Sequence, residues 1–317
     1  MKLSVRFMAM AALAVGLMPD LALACACGCG VFDVGTGTMM PTDTGDTAWL
    51  EYDFMNQTQN WNGASPSPGA NNPDKIIRSN FFVGGLQYMF DRQWGLEAEV
   101  PYTDRTFKTT PSGNNGDPTQ IFEHSNIGDV RVKGVYSGFS DDMSTGVTFG
   151  LKLATGDFTY PNFDRDTSIG TGSTNLLLGG YHLGDLSALT GMPFDWFANA
   201  QWDEPFIIQQ NYRPGDEFDA AIGSYYNGFD FGSGGKLAPL LQILGSIREH
   251  DLGSNANPPI DGMNQSGYQR VLVSPGLEYD INAVRLYGDV EVPVWQHTNG
   301  DQLVAPVLAK LVVGYNF

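Results

Sequence analysis

The chain has 317 residues, 35 acidic against 17 basic side chains, and a formal net charge of -18. That balance excludes a nucleic-acid partner, whose phosphates need a basic footprint. With 39 Gly, 18 Pro, 13 Tyr and 19 Phe, and little of the periodicity of helices, the composition is that of a turn-rich β protein.

Residues 1–24 read as a secretory signal. Lys2 and Arg6 give a positive start, Phe7 to Leu17 an apolar run, and Ala22-Leu23-Ala24 a small-x-small cleavage site. The run is shorter than the ~20 apolar residues of a membrane helix, and no longer one follows. The mature chain then begins at Cys25, a position that also permits lipidation. The residue three before it is Ala22, however, where the lipidation signal wants a large aliphatic.

Residues 25–46 read as a Cys-rich periplasmic segment. Cys25, Cys27 and Cys29 are the 3 cysteines of the chain. Three close thiolates suit a soft metal such as copper(I) or zinc. In an oxidising compartment two of them could instead pair and leave one free thiol, and an incidental tail is the plain alternative. Cys-x-x-Cys-His is missing, so a c-type haem is excluded.

From residue 47 the chain resolves into alternating segments. The first, 47–57, sets Ala48, Leu50, Tyr52 and Phe54 against Glu51 and Asp53, the period-2 pattern of a strand. A polar stretch, 60–75, precedes segments 78–90 and 93–107, which are joined by Asp91-Arg92 alone. Within 93–107, Trp94, Leu96, Ala98, Val100 and Tyr102 oppose Glu97 and Glu99. Loop 108–123 leads to segment 125–139, a turn around Asp141-Asp142, and segment 144–155. Loop 156–170 is followed by segments 171–183 and 194–209. A loop near Arg213-Pro214 opens segment 217–229, and Gly232 to Gly235 turn the chain into 237–249. The long loop 250–265, segment 268–279, turn 280–283, segment 284–295 and loop 296–302 complete the series.

The closing segment, 304–317, carries Ala305, Val307, Ala309, Leu311, Val313, Tyr315 and Phe317 on one face, with Lys310 on the other. It resembles the last strand of bacterial outer-membrane barrels, whose terminal Phe forms part of the signal read by the barrel-assembly machinery.

The count is twelve strands, and short turns follow the second, fourth, sixth, eighth and tenth. Outer-membrane barrels show that alternation, with short periplasmic turns and long external loops. A secreted β-sandwich has no reason to sort its loops so, nor to carry an apolar face on nearly every strand. The expected fold is an all-β, 12-stranded antiparallel transmembrane up-and-down β-barrel over residues 47–317, in the outer membrane of a Gram-negative bacterium.

With the apolar faces toward lipid, the alternate residues line the interior. They are Glu51, Asp53, Glu97, Glu99, Asp129, Arg131, Lys133, Lys152, Asp203, Arg248, Arg270, Glu278, Arg285, Asp289, Glu291 and Lys310. Opposite charges of this kind pair across strands and fill a narrow barrel, or they orient a small solute in a polar conduit. A strongly selective ion channel would show rings of one sign instead. Acidic outer loops would meet the divalent cations that bridge lipopolysaccharide, or keep the rim solvated.

Four runs stand in order: Gly95-Leu-Glu-Ala-Glu-Val-Pro-Tyr102, Ile127-Gly-Asp-Val-Arg-Val-Lys-Gly134, Gly150-Leu-Lys-Leu-Ala-Thr-Gly-Asp157 and Ile169-Gly-Thr-Gly-Ser-Thr-Asn175. Together they resemble the outer-membrane barrel family named for the meta-pathway of phenol degradation, over about residues 80–185. Ala154 stands where that family usually has Pro, and the three-cysteine tail lies outside its pattern. The resemblance implies uptake of small molecules, hydrophobic or aromatic ones among them.

Glu123-His124-Ser125-Asn126-Ile127-Gly128 is similar to a run in the outer-membrane phospholipase, which would make the chain an enzyme. Adjacent residues of a strand point to opposite faces, so His124 and Ser125 could not cooperate as base and nucleophile. His182, His250 and His297 stand alone. The chain is therefore expected to be a porin or channel-like protein without enzymatic activity or cofactor. The alternative is a membrane-anchored scaffold whose cysteine tail holds metal or a redox partner.

Overall fold

A computed structural model describes residues 40, 46–110, 117–253 and 265–317. Residues 1–24, read above as a secretory signal, and Cys25, Cys27 and Cys29 lie outside the described residues.

The alternating segments become β1 (Asp46–Gln57), β2 (Ile76–Met89), β3 (Trp94–Thr109), β4 in two pieces (Gln120–Ile127 and Arg131–Tyr136), β5 (Thr145–Lys152), β6 (Ser173–Asp185), β7 (Phe194–Ile208), β8 (Glu217–Tyr226), β9 (Lys236–Arg248), β10 (Tyr268–Ile281), β11 (Val284–Val304) and β12 (Leu308–Asn316). Each pairs antiparallel with the next, and β12 pairs back onto β1 from Thr47↔Asn316 to Met55↔Leu308. The result is a closed 12-strand barrel.

The usual distribution of side chains is inverted. Leu50, Leu311, Val313 and Tyr315 are each more than half exposed, whereas Glu51, Asp53 and Lys310 are buried. A wall of that kind is stable only where its outside meets hydrocarbon. Its short-turn end carries an aromatic girdle: Trp94 against Tyr136 and Phe149, Tyr136 against Phe139, Phe194 and Phe229 against Tyr226, and Tyr315 against Phe317. Amphipathic rings favour the boundary between headgroups and acyl chains. The tightest of the turns, between β10 and β11, holds Asn282 at φ 52°, a left-handed position that Asn tolerates.

Three expectations need correction. Loop 108–123 is shorter than its composition suggested, because β3 and β4 continue as a hairpin to Thr109↔Gln120. All of 296–302 lies inside β11, with Gln302–Val304 laid against the ribbon Gln59–Gly63. Ala305 faces inward rather than out, as does Leu308 three residues later. Pro306 between them lacks an amide hydrogen, and one extra residue flips every following side chain to the other face.

Replacing Leu311, 56% exposed on the outer wall, by Arg is expected to destabilise the barrel by about 2–4 kcal/mol. Urea unfolding from phospholipid vesicles measures this, and an unchanged midpoint would show that the face does not meet lipid.

Candidate functional site

The interior is layered. Toward the short-turn end it is aromatic and apolar, with Trp49, Tyr181, Phe197, Tyr225 and Tyr287 in one cluster, joined by Met40 from ahead of β1.

Above that layer lie charges in registered cross-strand pairs. Asp53 stands opposite Lys310, whose Nζ is 3.3 Å from Glu51 and 3.6 Å from Asp53. Glu97 stands opposite Lys133 at 2.6 Å, and Glu99 opposite Arg131 at 3.5 Å, with Lys133 also 3.5 Å from Glu99. Lys152 reaches across β6 to Asp203, which also accepts a hydrogen bond from Asn175. Asp289 accepts from Gln242 at 2.7 Å, Ser274 at 2.8 Å and Tyr287 at 2.6 Å, and Glu291 is buried one step further along β11. Pairing of this kind offsets the desolvation that a narrow interior imposes on each ion.

Arg248, Arg270, Glu278 and Arg285, all expected inside, lie away from this layer. Arg248 pairs with Asp251 at 2.6 Å at the long-loop end. Arg270 lies over the Tyr268 ring at 4.5 Å, beside a cavity of about 30 Å³ lined by Gln57, Gln302 and Leu308. Arg285 pairs with Asp280 at 2.7 Å and Glu278 at 3.6 Å beside the short β10–β11 turn.

The feature that sequence reasoning missed is the β5–β6 connection, residues 153–172, which folds into the barrel. Surface loops seldom bury charge, yet Phe163, Arg165, Asp166, Thr167 and Ser168 here are all nearly inaccessible. A neck holds the loop. Asp129 Oδ1 accepts the Gly156 amide at 3.0 Å, while its Oδ2 accepts the Thr171 amide at 2.8 Å and hydroxyl at 2.6 Å. Thr155 Oγ1 donates to the Gly128 carbonyl at 2.8 Å and accepts the Val130 amide at 2.9 Å. The two sides of the neck touch so closely that a Cβ on Gly170 would sit 2.3 Å from the Gly156 carbonyl oxygen. Those residues are the conspicuous ones in three of the four ordered runs, so the motif is the neck.

Beyond the neck, Arg105 of β3 donates to the Thr167 and Ser168 carbonyls at 2.7 and 3.1 Å, and to Ser79 at 2.8 Å. Phe163 packs with Ile77, Phe107 and Leu303, and so reaches β2, β3 and β11 from its origin beside β5. Arg165 lies between the rings of Phe158 at 4.6 Å and Tyr212 at 4.5 Å. His124 stacks on Tyr160 at 3.6 Å with its Nε2 3.3 Å from Asp157. Ser125 points the other way, donating to Asp104 at 2.6 Å, so His124 and Ser125 do not converge. The sequence signal was present in Phe158, Tyr160 and Phe163, three rings within one loop.

The wall itself has a discontinuity. The β11–β12 ladder runs from Val284↔Tyr315 to Glu291↔Leu308 and stops. Past that point β11 stays with β10 through a register shift opposite Pro293 and Trp295. Pro293, Ala305 and Leu308 there border the small cavity.

The architecture has solved counterparts. An outer membrane channel from Pseudomonas putida F1 aligns with a TM-score of 0.62 at 12% identity, covering 90% of this chain and 100% of that one. The β domain of the Bordetella autotransporter Brka aligns with a TM-score of 0.51 at 12% identity, covering 86% and 100%. Likeness at such identity is one of fold, that of an outer-membrane barrel. No protein-family model matches the chain, and no curated protein does.

Asp129→Ala removes three accepted hydrogen bonds and leaves the buried Gly156 amide and the half-buried Thr171 amide without that acceptor, which is expected to cost about 3 kcal/mol. Asp129→Asn should lose less. A urea midpoint for the Ala variant equal to that of the native chain would refute the neck.

Proposed function

We propose that the barrel is a narrow channel through which small molecules, hydrophobic and aromatic ones in particular, cross the outer membrane of a Gram-negative bacterium. The observation that carries this reading is the loop of residues 153–172 folded into the interior. A scaffold needs only a wall. A loop that leaves solvent, buries Arg165 and Asp166 and narrows the long-loop half acts as a size filter.

The charged layer, from Glu51 and Lys310 round to Lys133 and Lys152, would line the path in the middle, and the aromatic layer of Trp49, Phe197 and Tyr225 would receive apolar solutes below it. The interrupted β11–β12 ladder offers the same solutes a weak place in the wall. The fold relative from Pseudomonas putida F1 is itself described as an outer membrane channel. In this reading residues 1–24 are removed on export, Phe317 is presented to the assembly machinery, and the outer rim meets lipopolysaccharide.

Deleting residues 158–168 while keeping the neck is expected to raise single-channel conductance several-fold in planar bilayers. In liposome swelling, an aromatic acid should enter faster than a sugar of equal size. Silence from both the native and the deleted barrel would refute the channel. Faster entry of the sugar would refute the preference for aromatic solutes.

A further inference from the structure

Beyond the neck, most of what holds the loop of residues 153–172 belongs to the wall. Arg105 is on β3, His124 on β4, and Phe163 packs on Ile77, Phe107 and Leu303 of β2, β3 and β11. Arg165 is held differently, by a side chain that itself comes from a loop. Its guanidinium lies 4.6 Å from the Phe158 ring and 4.5 Å from the Tyr212 ring, and donates to the Thr171 carbonyl at 2.8 Å. Arg165 is 4% exposed and Tyr212 2%. A cation enclosed against aromatic faces, away from water, is attracted to them, and the flat guanidinium suits such a place where an ammonium does not.

Tyr212 stands in the β7–β8 connection, residues 209–216, and the β9–β10 connection fixes it there. Its hydroxyl donates to Asp251 at 2.8 Å, and Tyr212 and Arg213 pair antiparallel with Gly253 and Leu252. Asp251 is wholly buried. It also accepts the Gly215 amide at 2.8 Å and the Arg248 guanidinium at 2.6 Å, while its own amide donates to Ser266 at 2.8 Å. The turn ahead of Tyr212 is tight, with Gln210 and Asn211 both at φ 53°. Two connections of the long-loop end thus jointly place the ring that covers Arg165.

Strands locked into a closed sheet shift only by breaking ladder bonds, whereas connections open locally at much lower cost. The contacts made by Arg105, His124 and Phe163 are therefore fixed, and the contact between Arg165 and Tyr212 is adjustable. We propose that Tyr212 is the keeper of the inserted loop, the residue through which the connections 209–216 and 249–253 set whether residues 157–169 stay in the lumen. With the ring in place, Arg165 is enclosed and the barrel stays narrow. When those connections shift, Arg165 loses the Tyr212 ring, and the segment swings out on a neck whose Asp129 bonds remain whole.

The consequence for solute flow rests on the channel reading, so the test has two readouts. Proteinase K cleavage within 157–169, mapped by mass spectrometry on the mature barrel in liposomes, should be slow in the native chain. Arg165→Gln and Tyr212→Leu should each speed it at least about tenfold, the scale of a lost desolvated cation–π contact. The double variant should be no faster than either, since both changes remove the same contact. Gly253→Ala acts from outside the inserted loop. A Cβ there would sit 1.9 Å from the Asn211 carbonyl oxygen and force apart the pairing beside Tyr212. It should speed cleavage as Arg165→Gln does, and add nothing when combined with it. Retained heat-modifiability on gels reports a folded barrel in each variant. Conductance should rise with cleavage. Native protection in Tyr212→Leu or in Gly253→Ala, or additive effects in either double variant, would overturn the keeper. Faster cleavage in a barrel without conductance would uphold the keeper and refute the channel.

Discussion

Everything in this molecule depends on one constraint: a backbone placed in hydrocarbon must satisfy its amides and carbonyls within the protein. A sheet meets it only by closing on itself, and here closure is the pairing of β12 with β1 over nine registered residues, from Thr47↔Asn316 to Met55↔Leu308. Once the sheet is closed, alternation along each strand decides the rest. Leu311 and Val313 go out to lipid while Lys310 and Val312 go in. The polar residues, denied the outside, must find partners within.

They find them by register. Asp53 opposite Lys310, Glu97 opposite Lys133 and Glu99 opposite Arg131 are neighbours because adjacent strands place them at the same level. Cross-strand pairing is thus the counterpart of closure, since one satisfies the backbone and the other the side chains. The loop of residues 153–172 obeys the same logic with other means. Its buried groups are met by Arg105, by Asp129 and by apolar side chains from three strands.

The wall was legible in the sequence because its two governing signals are local. Period-2 alternation marks a strand wherever Glu51 and Asp53 interrupt Leu50, Tyr52 and Phe54, and turn lengths alternate along the chain. The interior charges followed from the same parity. What escaped was everything that depends on where a loop goes. Residues 156–170 have the composition of a surface connection, and nothing in their order states that Phe163 meets Phe107 and Leu303 across the barrel. Asp129 was visible as part of one of the four ordered runs, but its three bonds to Gly156 and Thr171 belong to tertiary structure. Ala305 was misplaced because parity is lost at Pro306, where a single irregular residue resets it. The extension of β3 and β4 past the expected loop start escaped for a similar reason. Polar residues such as Lys108 and Gln120 suit a ribbon standing clear of the bilayer as well as they suit a turn.

The neck has a consequence for how such a barrel can change over evolutionary time. Its bonds come mainly from Asp129, Thr155, Gly156 and Thr171, with Gly170 giving the close approach, and the segment beyond adds the Asp157 carbonyl and the Arg165 guanidinium. The segment beyond it is thus an exchangeable insert in a fixed mount. Its rings and charges can be rewritten for a new cargo while the mount and the cylinder around it keep their sequence.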